Sequence, residues 1–177
     1  MKVLFPAVLA VCLLTGVTCM PGAAFPLEID SPDFFNGESI PIENTGMGED
    51  ASPELRWGGA PDGTVSFALV ADDPDAPAGT WVHWVIFNIP AGSAGLPGGV
   101  PAETVLADGS MQGENSWGNI GYGGPMPPPG PGHRYFFKLY ALDAKLPLRP
   151  GASAADVTDA MKGHILAEAE LMGRFGR

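Results

Sequence analysis

Two of the three histidines stand beside proline-rich turns. His83 follows the turn "DPDAPAG", and His133 ends the loop "GGPMPPPGPG". A neutral imidazole offers one N–H donor and an imidazolium offers two. Two imidazoles facing one cavity would form a clamp for a small anion, and it would strengthen as pH falls through roughly 6–7. Gly124 would let an anion approach the main chain, where backbone N–H groups add donors. The prolines would hold the loop rigid and reduce the entropy lost on binding. Asp73 or Asp75 can hold the second nitrogen of an imidazole, or meet the amine of a zwitterionic ligand. Trp81 and Tyr135 would wall such a pocket. Simpler readings compete with these. A histidine on a strand face with Trp81 and Phe87 can be an interior residue with one hydrogen bond. The aspartates can cap turns through Asx bonds, which flanking prolines favour. His164, just past Gly163, reads as a cation or hydrogen bond near a helix C-terminus and stays outside the site.

The elements that must position these residues are mostly strands. In "TVSFALVADD", Val65, Phe67 and Leu69 share one face and Ser66, Ala68 and Val70 the other, so a central strand covered on both faces is expected. In "TWVHWVIFNIP", strict alternation sets Trp81, His83, Val85, Phe87 and Ile89 against Val82, Trp84 and Ile86. In "HRYFFKLYAL", His133, Tyr135, Phe137 and Leu139 face away from Arg134, Phe136, Lys138 and Tyr140. Residues 91–112 read as loop, with one weak strand near Glu103 to Leu106. Ser153 and Asp156 suggest a helix cap, with a helix over about Ala154–Gly163. After it, "HILAEAELMGRF" has helix-forming composition but a period of two, and the period favours a strand.

Composition narrows the class. The chain has 177 residues, 45% hydrophobic and 16% charged, which suits one globular domain and is too apolar for disorder. The 25 glycines and 19 prolines cluster between apolar runs, as turns of a β-rich fold do. Residues 1–24 read as a signal peptide: Lys2, an apolar run from Val3 to Val17, then Gly22 and Ala24 at −3 and −1. Gly16-Val17-Thr18 before Cys19 lacks the Leu at −3 and the small residue at −1 that lipid modification favours. Both cysteines lie in this segment, so a mature domain from Phe25 to Arg177 has no disulfide and no thiolate. Periplasmic or secreted placement is expected, with no stable membrane insertion after cleavage. The net charge of −11 opposes nucleic-acid binding and anionic membrane surfaces.

Taken together, "DPDAP-x5-H-W" and "G-P-x-P-P-x4-H-R-Y" resemble the two signature stretches of the phosphatidylethanolamine-binding protein family, above all its bacterial Raf-kinase-inhibitor-like branch. "SPELRW", "GENSWGNIGYGG" and "AMKGHILAEAELMGRFGR" extend the resemblance from about Pro26 to the C-terminus. The resemblance implies a mainly β fold: β-sandwich-like, with a large central antiparallel sheet, a smaller sheet and a peripheral C-terminal helix. It implies a small anion-binding pocket made by Asp73, Asp75, Trp81, His83, Gly124, Pro125, Pro127, His133 and Tyr135, and a cis Ala76–Pro77 bond. Two positions depart from the pattern. Asp50 stands where relatives commonly carry Asn, and Met126 where the bacterial branch often has Cys. A carboxylate has no donor to offer, so the Asp50 change puts local loop bonding in question.

The function expected is an exported domain binding a small anionic or zwitterionic ligand: phosphate, a phospholipid headgroup or a carboxylate. It is expected to need no cofactor or metal and to be no enzyme, since G-x-S-x-G, P-loop, Rossmann and H-E-x-x-H patterns are missing. Two alternatives stay open: an inhibitor or regulator of a protease or other protein, and a metal-dependent hydrolase using the two His and two Asp.

Overall fold

The structure is a computed structural model that describes residues 26–177; the expected signal peptide and both cysteines lie outside the described residues. Among the described residues nine strands form two sheets, with one α-helix beside them. The smaller has the order β1-β2-β5, from β1 (Glu28–Asp30), β2 (Leu55–Gly58) and β5 (Gly95–Leu96). The larger has the order β8-β6-β4-β3-β7-β9. Its members are β3 (Ser66–Asp73), β4 (Trp81–Pro90), β6 (Met111–Glu114), β7 (His133–Leu142), β8 (Gly151–Ser153) and β9 (Ile165–Phe175). All its pairings are antiparallel except β6 with β8, which run parallel. The mainly β fold with two sheets and a C-terminal helix is thus the one expected. Among the described residues no helix is long and apolar enough to cross a membrane.

Strand β3 is buried along its whole length, because the large sheet is covered on both faces. On one face Phe67, Leu69, Trp84, Ile86, Phe137 and Leu139 meet Ile29, Leu55 and Trp57 of the small sheet. On the other, Ala68, Val85 and Phe87 meet Leu146 and the helix residues Val157 and Met161. Each fully buried Leu, Ile or Phe contributes about 1.5–3 kcal/mol by leaving water. The covering helix, α1 (Ala154–Met161), begins with the expected box: Ser153 accepts from the Asp156 N–H, and the Asp156 carboxylate accepts from the Ser153 N–H.

Strict alternation along β4 fails at both ends, and the cause is two bulges. The register with β3 jumps from Ala71↔Trp84 to Asp72↔Val82, leaving His83 as an extra residue. Trp84 keeps the face of Ile86, in the inter-sheet core, but beyond the bulge His83 turns to that side and meets Tyr135, while Val82 turns to the helix side. Asn88 makes the second break. Its φ of +56° is left-handed, and its amide holds Leu146 from both sides, donating to the carbonyl at 3.0 Å and accepting from the N–H at 2.7 Å. Ile89 is thereby returned to the inter-sheet core instead of following Val85 and Phe87. A period-two reading cannot see an inserted residue, so it assigned these ends to the wrong faces.

Two more expectations need correction. The weak strand near Glu103 to Leu106 is a single bridge, Val105↔Met111; the strands in the segment read as loop are β5 and the start of β6. Ala76–Pro77 is trans, and no cis bond occurs among the described residues. The turn closes without one: Asp75 N–H bonds the Asp73 carboxylate, Gly79 N–H bonds the Ala76 carbonyl, and Gly79 takes a φ of +98°. The last segment is strand, as its period indicated. It pairs with β7 from His133↔Phe175 to Leu142↔Ile165, and tertiary pairing overrides its helix propensity.

Replacing Asn88 with Ala is expected to lower stability by about 2–4 kcal/mol, because it orphans both polar groups of Leu146 and leaves a non-glycine residue at positive φ. Urea unfolding would show this as a lower midpoint with an unchanged m-value; an unshifted midpoint would contradict the bulge's role.

Candidate ligand site

Strand order decides what meets what. β3 lies between β4 and β7, so its last residue, Asp73, stands between His83 near the start of β4 and His133 at the start of β7. Asp73 is only 4% exposed, and both its oxygens are used. Oδ2 accepts from His133 Nδ1 at 2.8 Å, and Oδ1 accepts from the Asp75 N–H at 2.8 Å. A buried carboxylate needs such partners.

His83 is held differently. Its Nδ1 donates to the Gly123 carbonyl at 2.5 Å, while the Gly123 N–H returns a bond to the His83 carbonyl at 2.9 Å. Its ring meets Trp117 and Tyr135 edge-on, each with centroids 5.1 Å apart. Burial pushes the His83 pKa below its ordinary value, opposed by the Gly123 bond and by the charges of Asp73, Asp50 and Asp72. Burial also pushes the Tyr135 phenol up, so its hydroxyl stays protonated.

These side chains enclose a cavity of about 270 Å³. Six of the nine expected site residues line it: Asp73, Trp81, His83, Pro127, His133 and Tyr135. Three do not. Asp75 turns away, and its carboxylate takes the Arg134 guanidinium in a fork, Oδ2 to Nε at 2.8 Å and Oδ1 to Nη2 at 2.6 Å, plus the Arg134 N–H at 3.0 Å. These bonds hold the Asp75 carboxyl down at about pKa 2, and they pin the turn to β7. Gly124 lines a neighbouring cavity, and Pro125 lines neither. The expected backbone donors here are already engaged: Gly124 N–H bonds Asp50 Oδ1 at 2.6 Å, and Gly123 N–H bonds His83. Gly124 is required by loop packing, since a Cβ would lie 2.7 Å from Thr45 Cα and 2.8 Å from the Asn44 carbonyl.

Sequence reasoning missed Trp117, which lines the cavity and meets both His83 and Trp81. Its signal was a tryptophan stranded in the loop sequence "GENSWGN". Met126 also lines the cavity and is half exposed, so a flexible thioether forms the rim where a thiol was commonly expected. His164 stays outside the site, bonding Asp143 at 2.7 Å. A larger hollow of about 420 Å³ lies on the outer face of β7 and β9, but it is lined by Lys138, Tyr140, Glu168, Ala169 and Glu170 and contains no imidazole; Lys138 is already paired to Asp72 at 2.6 Å. No group of three or more His, Cys, Asp or Glu among the described residues is arranged to hold a metal ion.

The sequence matches the family profile described as phosphatidylethanolamine-binding protein over residues 30–176. The chain belongs to that family. A UPF0098 protein of Methanothermobacter thermautotrophicus is 56% identical over 138 residues, covering 78% of this chain and 91% of the relative. A Mycobacterium tuberculosis H37Rv protein named as a candidate lipoprotein, LppC, is 41% identical over 154 residues, or 86% of this chain and 74% of that one. Among solved structures, Escherichia coli YbcL, described as a member of the mammalian family, superposes with a TM-score of 0.80 at 35% identity, covering 86% of this chain and 99% of the other.

The site's polarity follows from the two Nδ1 bonds. With Nδ1–H committed on both rings, each neutral imidazole keeps a lone pair at Nε2. Neither Nε2 is among the buried side-chain atoms left without a partner, which among the described residues are Asp72 Oδ1 and Trp81 Nε1. Solvent therefore reaches both Nε2 atoms, and the cavity is their outlet. Neutral imidazoles so placed accept hydrogen bonds at Nε2, beside the Tyr135 hydroxyl and the Trp81 indole N–H that also line the cavity. Each imidazole donates there only after taking up a proton, or when the ligand brings one.

Two outcomes are expected. Nitrogen NMR at pH 8 should find His83 and His133 as Nδ1–H tautomers; an Nε2–H signature on either would contradict the bonds drawn. For Asp75, a depressed pKa contributes stability that is present above the ordinary 3.8 and lost as pH falls through about 2. Asp75→Asn should therefore unfold more easily than the parent above pH 4, with the difference fading near pH 2.

Proposed function

We propose that this domain binds a small acid, a phosphate monoester or a carboxylate, between the imidazoles of His83 and His133. The observation that carries this reading is the common orientation of the two rings: each is anchored at Nδ1 by a different wall and leaves Nε2 for the cavity. The Asp73 carboxylate compensates positive charge on His133 when that ring is protonated. Binding is expected without turnover. The net charge of −11 supports a local clamp in place of a general attraction for anions, and it disfavours nucleic acid as a partner. Export of the domain is supported by the composition of residues 1–24 and by the lipoprotein name of the mycobacterial relative.

Titration with ethyl phosphate is the direct test. Binding should shift the ring signals of both histidines and strengthen toward low pH, by up to about tenfold per pH unit where one proton is taken up. The sign follows from His83: burial favours its neutral form, and an anion stabilises the charged one. Replacing either histidine with Ala should weaken binding at least about tenfold, because a hydrogen bond to a charged group is worth about 1.5–3 kcal/mol. Imidazole signals that stay still up to high millimolar ethyl phosphate would defeat the reading.

A further inference from the structure

Strand β9 is one edge of the large sheet, and only part of that edge is covered. Toward its end the segment 36–40 lies alongside it. Gly37 N–H bonds the Met172 carbonyl at 2.7 Å, and the Asn36 side chain accepts the Met172 N–H at 2.9 Å. The Glu38 carbonyl and the Ile40 N–H take up both main-chain groups of Arg174, each at 2.8 Å. Met172 and Arg174 thus turn their main-chain groups away from β7. Alternation turns those of Glu168 and Glu170 the same way. Among the described residues no hydrogen bond from outside the strand reaches them. Their N–H and carbonyl groups stand open, which makes this stretch a template for an added strand.

The side chains of the open stretch are charged in one sense. Ala167 and Ala169 pack on the inter-sheet core, so Glu168 and Glu170 project on the outer face, opposite Tyr140 and Lys138 of β7. These four residues border the hollow of about 420 Å³. Lys138 is spent on Asp72, and neither glutamate belongs to an ion pair among the described residues. Burial pushes the Tyr140 phenol up, and the nearby charges of Glu168, Asp72 and Glu170 push the same way. Ile165 and Leu166, where the open stretch begins, are exposed. So is Val65, whose N–H bonds the carbonyl of Leu142, the partner of Ile165. The edge thus offers open main-chain groups, two uncompensated carboxylates beside a hollow, and an apolar end.

We propose that residues 165–170 of β9 bind an extended segment of another protein as an added strand, with basic side chains at alternate positions against Glu168 and Glu170 and an apolar one against Ile165 and Leu166. This stands apart from the imidazole reading of the cavity. Main-chain bonds give such a complex its affinity, and alternate side chains give its selectivity. Side chains on one face of a strand recur every second residue, so basic residues two apart match the spacing of the two glutamates. A second copy of this chain fits poorly. A two-fold axis at Glu168, at Glu170 or between them sets glutamate directly opposite glutamate, which destabilises the pair. The same charges favour a basic partner. Both glutamates are exposed, so water screens the attraction and it tunes the choice of partner without creating the affinity.

The probe is a capped threonine peptide with lysine at two alternate positions and leucine two residues beyond, made in both chain directions. Titration at low salt, followed by amide NMR, should move the Glu168 and Glu170 signals and slow their hydrogen exchange. The Ala169 amide, which alternation turns toward β7, should be protected before any peptide is added. The double variant Glu168→Gln, Glu170→Gln keeps the edge and should weaken binding about three- to tenfold, as should added salt on the parent. Its urea midpoint should match the parent's. Methylating every second peptide nitrogen should abolish binding in one phase, where those amides face β9, and spare it in the other. Signals that stay still up to high millimolar peptide would overturn the proposal. Binding that ignores methylation in both phases, or ignores the loss of both glutamates, would overturn it too. A dimer in sedimentation that protects the same amides would overturn it as well, and assign the edge to a second copy.

Discussion

The Asp73 carboxylate is the point on which the site depends. It ends the central strand almost without exposure, where an ionised group would be costly if unpaired. Its two oxygens tie together the turn that follows β3 and the histidine that starts β7. One bond shapes the "DPDAP" turn, and the other fixes the tautomer of His133. Removing either partner would leave a buried acceptor unsatisfied, so turn and imidazole hold each other in place.

Around that hub the loops are braced from outside the cavity. Asp75 is spent on Arg134. The Gly123–Gly124 segment is fastened to His83 on one side and Asp50 on the other. The proline loop is held at its far end by Arg177, whose guanidinium donates to the Pro127 carbonyl at 2.6 Å. Little ordering is left for binding, which lowers its entropic cost. The same bracing removes donors that a sequence reading would assign to the ligand, so the imidazoles become the principal means of recognition.

Much of this was legible beforehand. Periodicity located β3, β4, β7 and β9, and for β9 it outranked helix propensity because the face pattern reflects packing of Ala167, Ala169, Leu171 and Phe175 on the inter-sheet core. Six of the nine expected residues meet at one cavity. The misreadings share a cause. Asp75 and Gly124 have the chemistry of ligand contacts, but other residues of the chain reach them first. Trp117 belongs to a loop with no period, and its role appears only once the loop folds against His83. The bulges at His83 and Asn88 insert residues that alternation cannot register.

The sequence by itself determined the strand periods, the family, the two histidines and the acidic balance, because each depends on residue type and local spacing. Only the tertiary structure decided which polar groups are spent and which are free. Hydrogen bonds are exclusive and reach across residues far apart in the chain: His133 to Asp73, Arg134 to Asp75, Gly124 to Asp50. That exclusivity leaves an Nε2 on each of two rings and one oxygen of Asp50 without a partner inside the fold, a distinction that strand order and packing create and that no linear pattern encodes.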